Sequence, residues 1–373
     1  MIGSALQIRK NVLDYKRDTY LGSSPTLSKE FELLDCAVGY SQWGISPLAV
    51  QAHQSFKPEI VHCYPEMFYD KMLKPLIIAK FCGSGIEPNQ LFFGHGSFNL
   101  AERLIHKFIP PTMMLGVGPQ FNEIPSEFVA AGGEYRPIEI NLTDYSFPLE
   151  QIIYELRTGK YATLYIDNPN NPLGRLILIQ DIEVLARIAA ETGTSVLVDE
   201  AYGDFVPNEC SAAYLVNKTD NLAVIRSFSK CLGLAAERIG YMFVSKVIAD
   251  RYKELDVPFE PGIYGAVMAE ATLKDVDFVE KIRITVSKTK QETIACLMKA
   301  GYLILPTHET TSILTVHKRS SNVVAEFASI GVAVEPGSAF KKTHQLFDDS
   351  FCRIRIPNTS EEFQRRLQRL EKR

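Results

Sequence analysis

The sequence predicts an α/β protein in which a large three-layer domain with a mostly parallel sheet is joined to a smaller α+β domain. Through the middle of the chain, apolar strand-like runs alternate with amphipathic helical runs. Continuous runs of β-branched residues separated by helices are typical of parallel strands that are covered on both faces. After about residue 262 the pattern changes to one long helical stretch followed by shorter strands. That change indicates a second unit of a different class.

The elements follow one another in a regular order. In the large domain we expect strands at 91–94, 163–167, 195–200, 222–227 and 239–244, and helices near 100–108 and 179–191. In the small domain we expect one helix over 266–291, strands near 311–316, 332–334 and 352–356, and a last helix that ends at residue 372. We therefore assign an N-terminal arm with part of the small domain to 1–45, the large domain to 46–262 and the small C-terminal domain to 263–373.

The composition indicates a globular protein without a nucleic-acid or membrane partner. The 373 residues are 46% hydrophobic and 23% charged, and the formal net charge is −4, so we expect no strongly basic surface. We expect no secretory leader and no membrane span, because no long apolar run is present. The seven cysteines form no Cys-x-x-Cys pair. We therefore expect neither a metal site nor disulfides, and a reducing cytoplasmic location.

A lysine segment is the most specific signal in the chain. Residues 227–234 read Ser-Phe-Ser-Lys-Cys-Leu-Gly-Leu, and Arg238 follows eight positions after Lys230. An amine among hydroxyls and near an arginine suits a covalent bond to a phosphorylated aldehyde cofactor, because the same neighbours can grip its phosphate. A solvated lysine on a loop beside a helix is the alternative interpretation.

Three further segments lie just after predicted strands, where parallel sheets bind ligands. Asp199 closes one strand and Tyr202 follows it; a carboxylate there suits a protonated ring nitrogen or, alternatively, the cap of a turn. Residues 167–174 read Asp-Asn-Pro-Asn-Asn-Pro-Leu-Gly, a rigid turn. Residues 94–99 read Gly-His-Gly-Ser-Phe-Asn. This helix start suits a phosphate but lacks the third glycine of the dinucleotide-binding fingerprint.

These four segments, in this order, resemble the motifs of fold-type-I enzymes that depend on pyridoxal 5'-phosphate (PLP), the class I/II aminotransferases. Within that class they most resemble the histidinol-phosphate aminotransferase and threonine-phosphate decarboxylase group. The resemblance extends from about residue 38 to the end of the chain. It implies PLP as the cofactor and Lys230 as the lysine that carries it. It also implies a phosphate site formed by Gly96, Ser97, Phe98, Ser227, Ser229 and Arg238.

The same resemblance implies contacts to the cofactor ring. Asp199 would pair with the pyridine nitrogen, and Tyr202 and Asn171 would bind the 3-hydroxyl oxygen. Phe121, in a Gly-Pro-Gln-Phe segment, fits the place of an aromatic that stacks on the ring; a core phenylalanine is the alternative. Leu173 stands where the family's Asn-Pro-x-Asn-Pro-Thr-Gly loop usually has threonine.

Five more residues concern the substrate and the partner subunit. Tyr64, in His-Cys-Tyr-Pro-Glu, resembles a family tyrosine that reaches the neighbouring site, which implies a homodimer with shared active sites. Arg353, with Arg355 as the alternative, would clamp a substrate carboxylate. The segment 39–44, which includes Trp43, stands in the place of the family's N-terminal substrate loop but lacks its Asn-Pro, and would lie at the pocket rim. Glu335 stands where relatives carry an arginine for a substrate phosphate. A carboxylate would repel a phosphate, so we expect a substrate without one; a solvent-facing glutamate is the alternative.

The resulting prediction is a PLP-dependent aminotransferase that moves an amino group between an L-amino acid and a 2-oxo acid by a ping-pong mechanism. An amino-acid decarboxylase, racemase or lyase on the same fold is the main alternative, because the sequence does not show which bond at the α-carbon is aligned for cleavage. A non-catalytic PLP-binding protein is a weaker alternative, since both Lys230 and Asp199 are present. A nicotinamide-dependent dehydrogenase is disfavoured by the glycine pattern.

Overall fold

The chain folds around a seven-stranded sheet that is parallel except at one strand. The computed structural model describes residues 8–13, 15–17, 32–65 and 69–370. The strands of the large sheet are, in chain order, β2 (Leu91–Gly94), β3 (Met113–Gly118), β4 (Glu134–Glu139), β5 (Thr163–Asp167), β6 (Ser195–Glu200), β7 (Leu222–Ser227) and β8 (Gly240–Val244). Their spatial order is β2-β8-β7-β6-β5-β3-β4, and β8 runs antiparallel to both of its neighbours. The predicted mostly parallel α/β fold is confirmed.

Two strands of this sheet were not predicted from the sequence. In β3, two glycines interrupt the apolar run, and β4 is a polar edge strand that contains Pro137. Proline is tolerated at a sheet edge because an edge strand does not need every N–H group for pairing. Neither segment therefore shows the continuous β-branched pattern that identified the central strands.

Helices cover both faces of the sheet. The helices before residue 262 are α1 (Lys10–Leu13), which buries no residue, α2 (Pro47–Gln54), α3 (Lys74–Lys80), α4 (Ser97–Lys107), α5 (Glu123–Ala130), α6 (Leu149–Leu156), α7 (Ile179–Glu191) and α8 (Lys246–Tyr252). A π-helical turn, Tyr69–Leu73, leads into α3. Within the described residues, no helix combines the length and apolar character that a membrane crossing requires.

The later part of the chain forms smaller sheets beside long helices. The helices are α9 (Ile263–Lys274), α10 (Val276–Lys299), α11 (Val323–Ser329) and α12 (Ser360–Leu370). Strands β9 (Leu303–Ile304), β10 (Ile313–His317), β12 (Glu335–Pro336) and β13 (Phe351–Arg355) form an antiparallel sheet in the order β12-β13-β10-β9. Strand β1 (Leu34–Asp35) pairs in parallel with β11 (Val332–Ala333), so an N-terminal segment packs with the C-terminal part. The domain boundaries near residues 45 and 262 stay predictions.

The long helix predicted over 266–291 is wrong in one respect, because two helices occupy this region. Helix α9 ends at Lys274 and α10 begins at Val276, with Asp275 between them at φ −86° and ψ 76°. These angles lie outside the helical region, so the chain changes direction there. The carboxylate of Asp275 accepts a hydrogen bond from Ser46 Oγ at 2.6 Å, which ties this break to the start of α2.

Alternation along the central strands separates the site from the main core. Leu164, Ile166, Val196 and Val198 point into the larger apolar cluster, whereas Tyr165 and Leu197 point to the opposite face, where α4 also packs. Because side chains alternate along a strand, Asp167 and Asp199 project to the same face as Tyr165 and Leu197. The carboxyl ends of β5, β6 and β7 therefore present their polar side chains together beside the start of α4.

Candidate active site

A cavity of about 600 Å³ opens at the carboxyl ends of the central parallel strands. This is the edge at which sheets of this class bind ligands. Its lining includes eleven of the side chains or backbone positions singled out in the sequence: Ser97, Phe98, Phe121, Asn171, Asp199, Tyr202, Ser227, Ser229, Lys230, Arg238 and Arg353. Residues that are up to 256 positions apart in the sequence thus meet in one place.

Lys230 lies at the centre of this arrangement. It follows β7 in a turn at whose end Gly233 has φ 77° and comes close to the Gly44 carbonyl, which leaves no room for a Cβ atom. Its Nζ donates a hydrogen bond to the Gly39 carbonyl at 2.5 Å and lies 5.6 Å from the centroid of the Tyr202 ring. Burial lowers the pKa of the Lys230 amine to about 8, and the nearby cation of Arg353 contributes to the fall. An amine with such a pKa is a nucleophile and a base near neutral pH.

Asp199 is a buried carboxylate at the end of β6. It is 5% exposed, and its Oδ1 accepts a hydrogen bond from the Ala201 N–H at 2.9 Å. Burial raises the pKa of Asp199 to about 7, and the neighbouring Asp167 raises it further. A cationic group placed beside Asp199 would favour its charged form, because an opposite charge offsets the cost of desolvation. The site is thus suited to a protonated ring nitrogen.

A cradle for an anion lies at the start of α4, where the cavity lining includes Ser97 and Phe98. Gly96 has φ 87°, and a Cβ atom there would meet Arg238 Nη2 at 2.8 Å, so glycine allows the guanidinium to approach the helix start. Arg238 Nη1 donates to Ser229 Oγ at 3.3 Å, and Ser227 Oγ donates to Ser229 Oγ at 2.8 Å. Two hydroxyls, a guanidinium and a helix N-terminus together form a site that matches a phosphate dianion.

Arg353 connects the cavity to the small antiparallel sheet. Its Nη1 donates to Asn171 Oδ1 at 2.9 Å, and its Nη2 donates to the Ala37 carbonyl. The guanidinium therefore meets the loop 167–174 on one side and the N-terminal segment on the other. Glu335, which is opposite Arg353 in the β12–β13 pairing, lies 3.6 Å away across an ion pair.

Besides Gly96, which belongs to the anion cradle, four residues singled out in the sequence lie outside the cavity lining. Arg355 is buried, interacts with Asp35 and lies 4.2 Å from the centroid of the Tyr40 ring. Trp43 packs in the apolar clusters beside the cavity. Tyr64 is 77% exposed and contacts Phe259 at a ring distance of 4.4 Å.

Glu335 is the fourth, and its position corrects one interpretation. The side chain is buried and packs against Arg353 instead of lining the cavity, so the alternative of a solvent-facing glutamate is wrong. Burial raises the pKa of Glu335 to about 7, while the charge of Arg353 opposes the rise. The direct influence of this carboxylate is thus on Arg353.

Three further residues of the cavity lining bear on its chemistry: Gly39, from the segment 39–44 that was predicted at the pocket rim, and two residues to which the sequence analysis gave no role. Gly39 accepts the hydrogen bond from Lys230 through its backbone carbonyl. A Cβ atom at this position would lie 2.5 Å from the Tyr202 hydroxyl. Arg17 also lines the cavity, with its guanidinium carbon 5.7 Å from the Phe98 ring centroid, and is paired with Glu127. Asp167 is a second buried carboxylate beside Asp199. Of Arg17 and Asp167, only Asp167 could have been identified from the sequence, because it is an acidic residue at a strand end directly before the Asn-Pro loop.

Comparisons with known proteins agree with this geometry. Residues 39–370 match the family Aminotransferase class I and II. A histidinol-phosphate aminotransferase from Moorella thermoacetica is 29% identical over 334 residues, which cover 87% of this chain and 81% of that protein. One from Brevibacillus brevis is 28% identical over 260 residues, covering 68% and 70%.

Solved structures show the same fold. The histidinol-phosphate aminotransferase from Clostridium acetobutylicum superimposes with a TM-score of 0.79 at 20% identity, covering 91% of this chain and 99% of that one. The histidinol-phosphate aminotransferase from Sinorhizobium meliloti, in complex with pyridoxal-5'-phosphate, gives a TM-score of 0.74 at 18% identity and covers 92% and 91%.

The chemistry of the donor set fits PLP. The helix start, serines and arginine provide a place for a phosphate dianion, Lys230 provides an amine with a lowered pKa, and Asp199 provides a carboxylate for a cationic ring nitrogen. The family match covers most of the chain, and the strand order and cavity agree with it. The chain therefore belongs to the class I and II aminotransferases and is a PLP-dependent enzyme.

Proposed function

We propose that this aminotransferase moves an amino group between an L-amino acid without a phosphate and a 2-oxo acid, by a ping-pong mechanism centred on Lys230. The observation that carries the proposal is the position of Lys230 in one cavity, with Asp199 on one side and Arg353 on another. A lysine, a ring-nitrogen partner and a carboxylate clamp are the three groups that this chemistry needs from the protein.

The proposed cofactor-binding residues form two groups, one for the phosphate and one for the ring. Gly96, Ser97, Phe98, Ser227, Ser229 and Arg238 would hold the phosphate, and Asp199, Asn171, Tyr202 and Phe121 would contact the ring. When bound, PLP supplies an electron sink for the carbanion at the substrate's α-carbon. Lys230 Nζ, freed as an amine, accepts the proton from that α-carbon and later donates it again. Its pKa of about 8 suits both transfers, because a useful general base titrates near the working pH.

Arg353 is the better candidate for the α-carboxylate clamp. It lines the cavity and donates to Asn171, whereas Arg355 lies outside the lining and is engaged with Asp35. A guanidinium binds a carboxylate through two parallel N–H donors, which fixes the direction of the substrate. That direction decides which α-bond stands perpendicular to the cofactor ring and breaks.

The inventory of arginines supports a substrate without a phosphate. The cavity lining contains Arg17, Arg238 and Arg353 among the described residues. Arg17 is already paired with Glu127, and Arg238 is needed at the cofactor phosphate end. Glu335, which stands where relatives carry an arginine, adds negative charge beside Arg353. A substrate phosphate would therefore meet one guanidinium whose charge is partly offset.

A homodimer with shared sites is part of the same proposal. Tyr64 lies on the surface, where 77% of the residue is exposed, and it stacks loosely on Phe259, itself 39% exposed. Two neighbouring exposed aromatic rings are typical of a contact surface. A tyrosine there could enter the cavity of a second copy of the chain.

The test is a donor panel with product identification. PLP-loaded protein is mixed with each L-amino acid, and with histidinol phosphate, while its visible absorbance is followed; the products are then identified by mass spectrometry with 2-oxoglutarate or pyruvate as acceptor. We expect one unphosphorylated amino acid to convert the cofactor band and to yield its 2-oxo acid. The K230A variant is the control, and no donor should convert its band.

Two results would contradict the proposal in different ways. If histidinol phosphate is the best donor by turnover, the substrate half of the proposal is wrong although transamination stands. If carbon dioxide or an eliminated side chain is the product, the enzyme carries out a different reaction at the α-carbon and the transamination half is wrong.

A further inference from the structure

Asp167 has no role in the proposed mechanism, yet it lies in the same cavity as the cofactor residues. It closes β5 directly beside Asp199, its register partner at the end of β6. Both side chains are 5% exposed. Two carboxylates at the ends of adjacent parallel strands project to the same side of the sheet. Burying two negative charges side by side costs free energy unless a nearby cation or hydrogen-bond donors offset them.

The hydrogen bonds of Asp167 reach two residues proposed to contact the cofactor ring. Its Oδ2 accepts from the backbone N–H of Phe121 at 3.0 Å and from that of Asn171 at 2.9 Å. Its Oδ1 accepts from Asn170 Nδ2 at 2.8 Å. A group that accepts three N–H donors is satisfied as a carboxylate, because a protonated acid would carry a donor of its own. Asp167 thus joins the ring-stacking segment to the asparagine loop.

The surroundings of Asp167 also define its electrostatic influence. Among the residues that the structure describes, the other charged groups lining the cavity are Asp199, Lys230, Arg353, Arg238, Arg17 and Glu123. Burial raises the pKa of the Tyr135 and Tyr165 hydroxyls well above the ordinary value, and the negative charge of Asp167 raises it further. Both tyrosines therefore stay neutral. Burial raises the pKa of Asp167 itself to about 7, against the N–H donors of Asn171 and Phe121. A cation bound at Asp199 would favour the charged form of both acids.

We propose that Asp167 is a second carboxylate of the cofactor site, which positions Phe121 and Asn171 and, through its negative charge beside Asp199, stabilises the protonated form of the bound cofactor. This inference rests on the proposed function, because it takes Asp199 as the partner of the ring nitrogen. It makes Asp167 a positioning residue with an electrostatic effect, not a group that exchanges protons with the substrate.

The test is a pH titration of the bound cofactor's visible absorbance in D167N. The substitution removes the charge with little change in shape. Loss of a nearby negative charge makes protons easier to remove, so the midpoint of the titration should fall by about one pH unit. The matched control is N170A, which removes a donor to Asp167 and a hydrogen bond to the Pro119 carbonyl but keeps both carboxylates. Its midpoint should stay at the wild-type value.

Several outcomes separate the charge of Asp167 from a general loosening of the loop. An unchanged midpoint in D167N, or an equal fall in D167N and N170A, would overturn the inference. If D167N does not fold by circular dichroism, D167S serves instead, because serine is smaller and also uncharged, and the same midpoints apply. The proposed function fails separately: wild-type protein that forms no lysine-bound cofactor band would refute it before any variant is compared.

Discussion

At the residue scale, two arginines of the small sheet have different surroundings, although the sequence left open which of them binds the substrate carboxylate. Arg353 and Arg355 are two positions apart in β13, so they point to the same face and both are buried. Only contacts with distant parts of the chain distinguish them. Arg353 meets Asn171 from the large sheet, whereas Arg355 meets Asp35 and Tyr40 from the N-terminal segment.

We expect R353K to weaken amino-acid binding much more than R355K. Lysine keeps the charge but loses the paired N–H donors, so KM for the amino donor should rise roughly tenfold to a hundredfold in R353K. In R355K the positive charge near Asp35 remains and KM should change by less than about threefold. Steady-state kinetics with the best donor measures both, and equal effects in the two variants would refute the assignment of Arg353.

Much of the site was readable at this scale, and the remainder was not for physical reasons. Lys230, Asp199 and Asn171 could be predicted because each lies in a short segment with a characteristic local order of residues. Arg17 could not, since it lies in no such segment and only folding brings it to the cavity. Gly39 belongs to the segment 39–44 that was predicted at the pocket rim, but its contact with Lys230 was not predicted. Asp167 was visible as a strand-end acid, but its partners Phe121 and Asn171 are separated from each other by 50 positions.

At the element scale, strands β6 and β7 place a charged network on the face of the sheet opposite the cavity. Arg226 and Glu200 are adjacent in sequence to the site residues Ser227 and Asp199, and alternation turns them the other way. Arg226 pairs with Glu200 and, at 2.9 Å, with Asp204, and its Nε donates to the Tyr241 hydroxyl at 3.0 Å. Lys80 pairs with Asp204 as well.

We expect R226M to destabilise the protein by about 3–5 kcal/mol, because it leaves Glu200 and part of Asp204 buried without their cation. Urea unfolding followed by circular dichroism measures the change in the free energy of unfolding. The control is R187A, which removes an exposed pair with Glu183 and should cost less than about 0.5 kcal/mol. A loss in R226M as small as that in R187A would show that the network adds little to stability.

The same scale shows where sequence patterns stop being informative. The central strands were predicted within one residue because burial on both faces requires continuous apolar runs. Strand β4 was missed because an edge strand can be polar, and the break at Asp275 was missed because helical periodicity continues on both sides of it. Long-range contacts decide both features.

At the scale of the whole molecule, active sites shared between two subunits would allow two differently defective variants to restore activity in a mixed dimer. We expect K230A and Y64A, each weakly active or inactive alone, to recover activity when they are mixed under conditions that exchange subunits. A mixed dimer contains one site with both Lys230 and Tyr64 intact, so a random mixture should reach about one quarter of wild-type activity.

The control mixture is K230A with D199A, whose defects fall in the same chain's cavity if Lys230 and Asp199 act together. Each mixed dimer then contains two defective sites, so no recovery is expected. Recovery with Y64A and none with D199A would support a tyrosine supplied by the partner. Absence of recovery with Y64A, after exchange is verified by mass spectrometry of differently tagged subunits, would show that Tyr64 does not serve a neighbouring site.

The hydrogen bond from Lys230 to the Gly39 carbonyl links the reactive amine to the other end of the fold. Four residues before Gly39, Asp35 pairs with Ala333 in the small parallel ladder, and Arg353 Nη2 donates to the Ala37 carbonyl between them. The backbone carbonyl that holds the amine is therefore positioned by contacts with residues from the far end of the chain, at both Asp35 and Ala37.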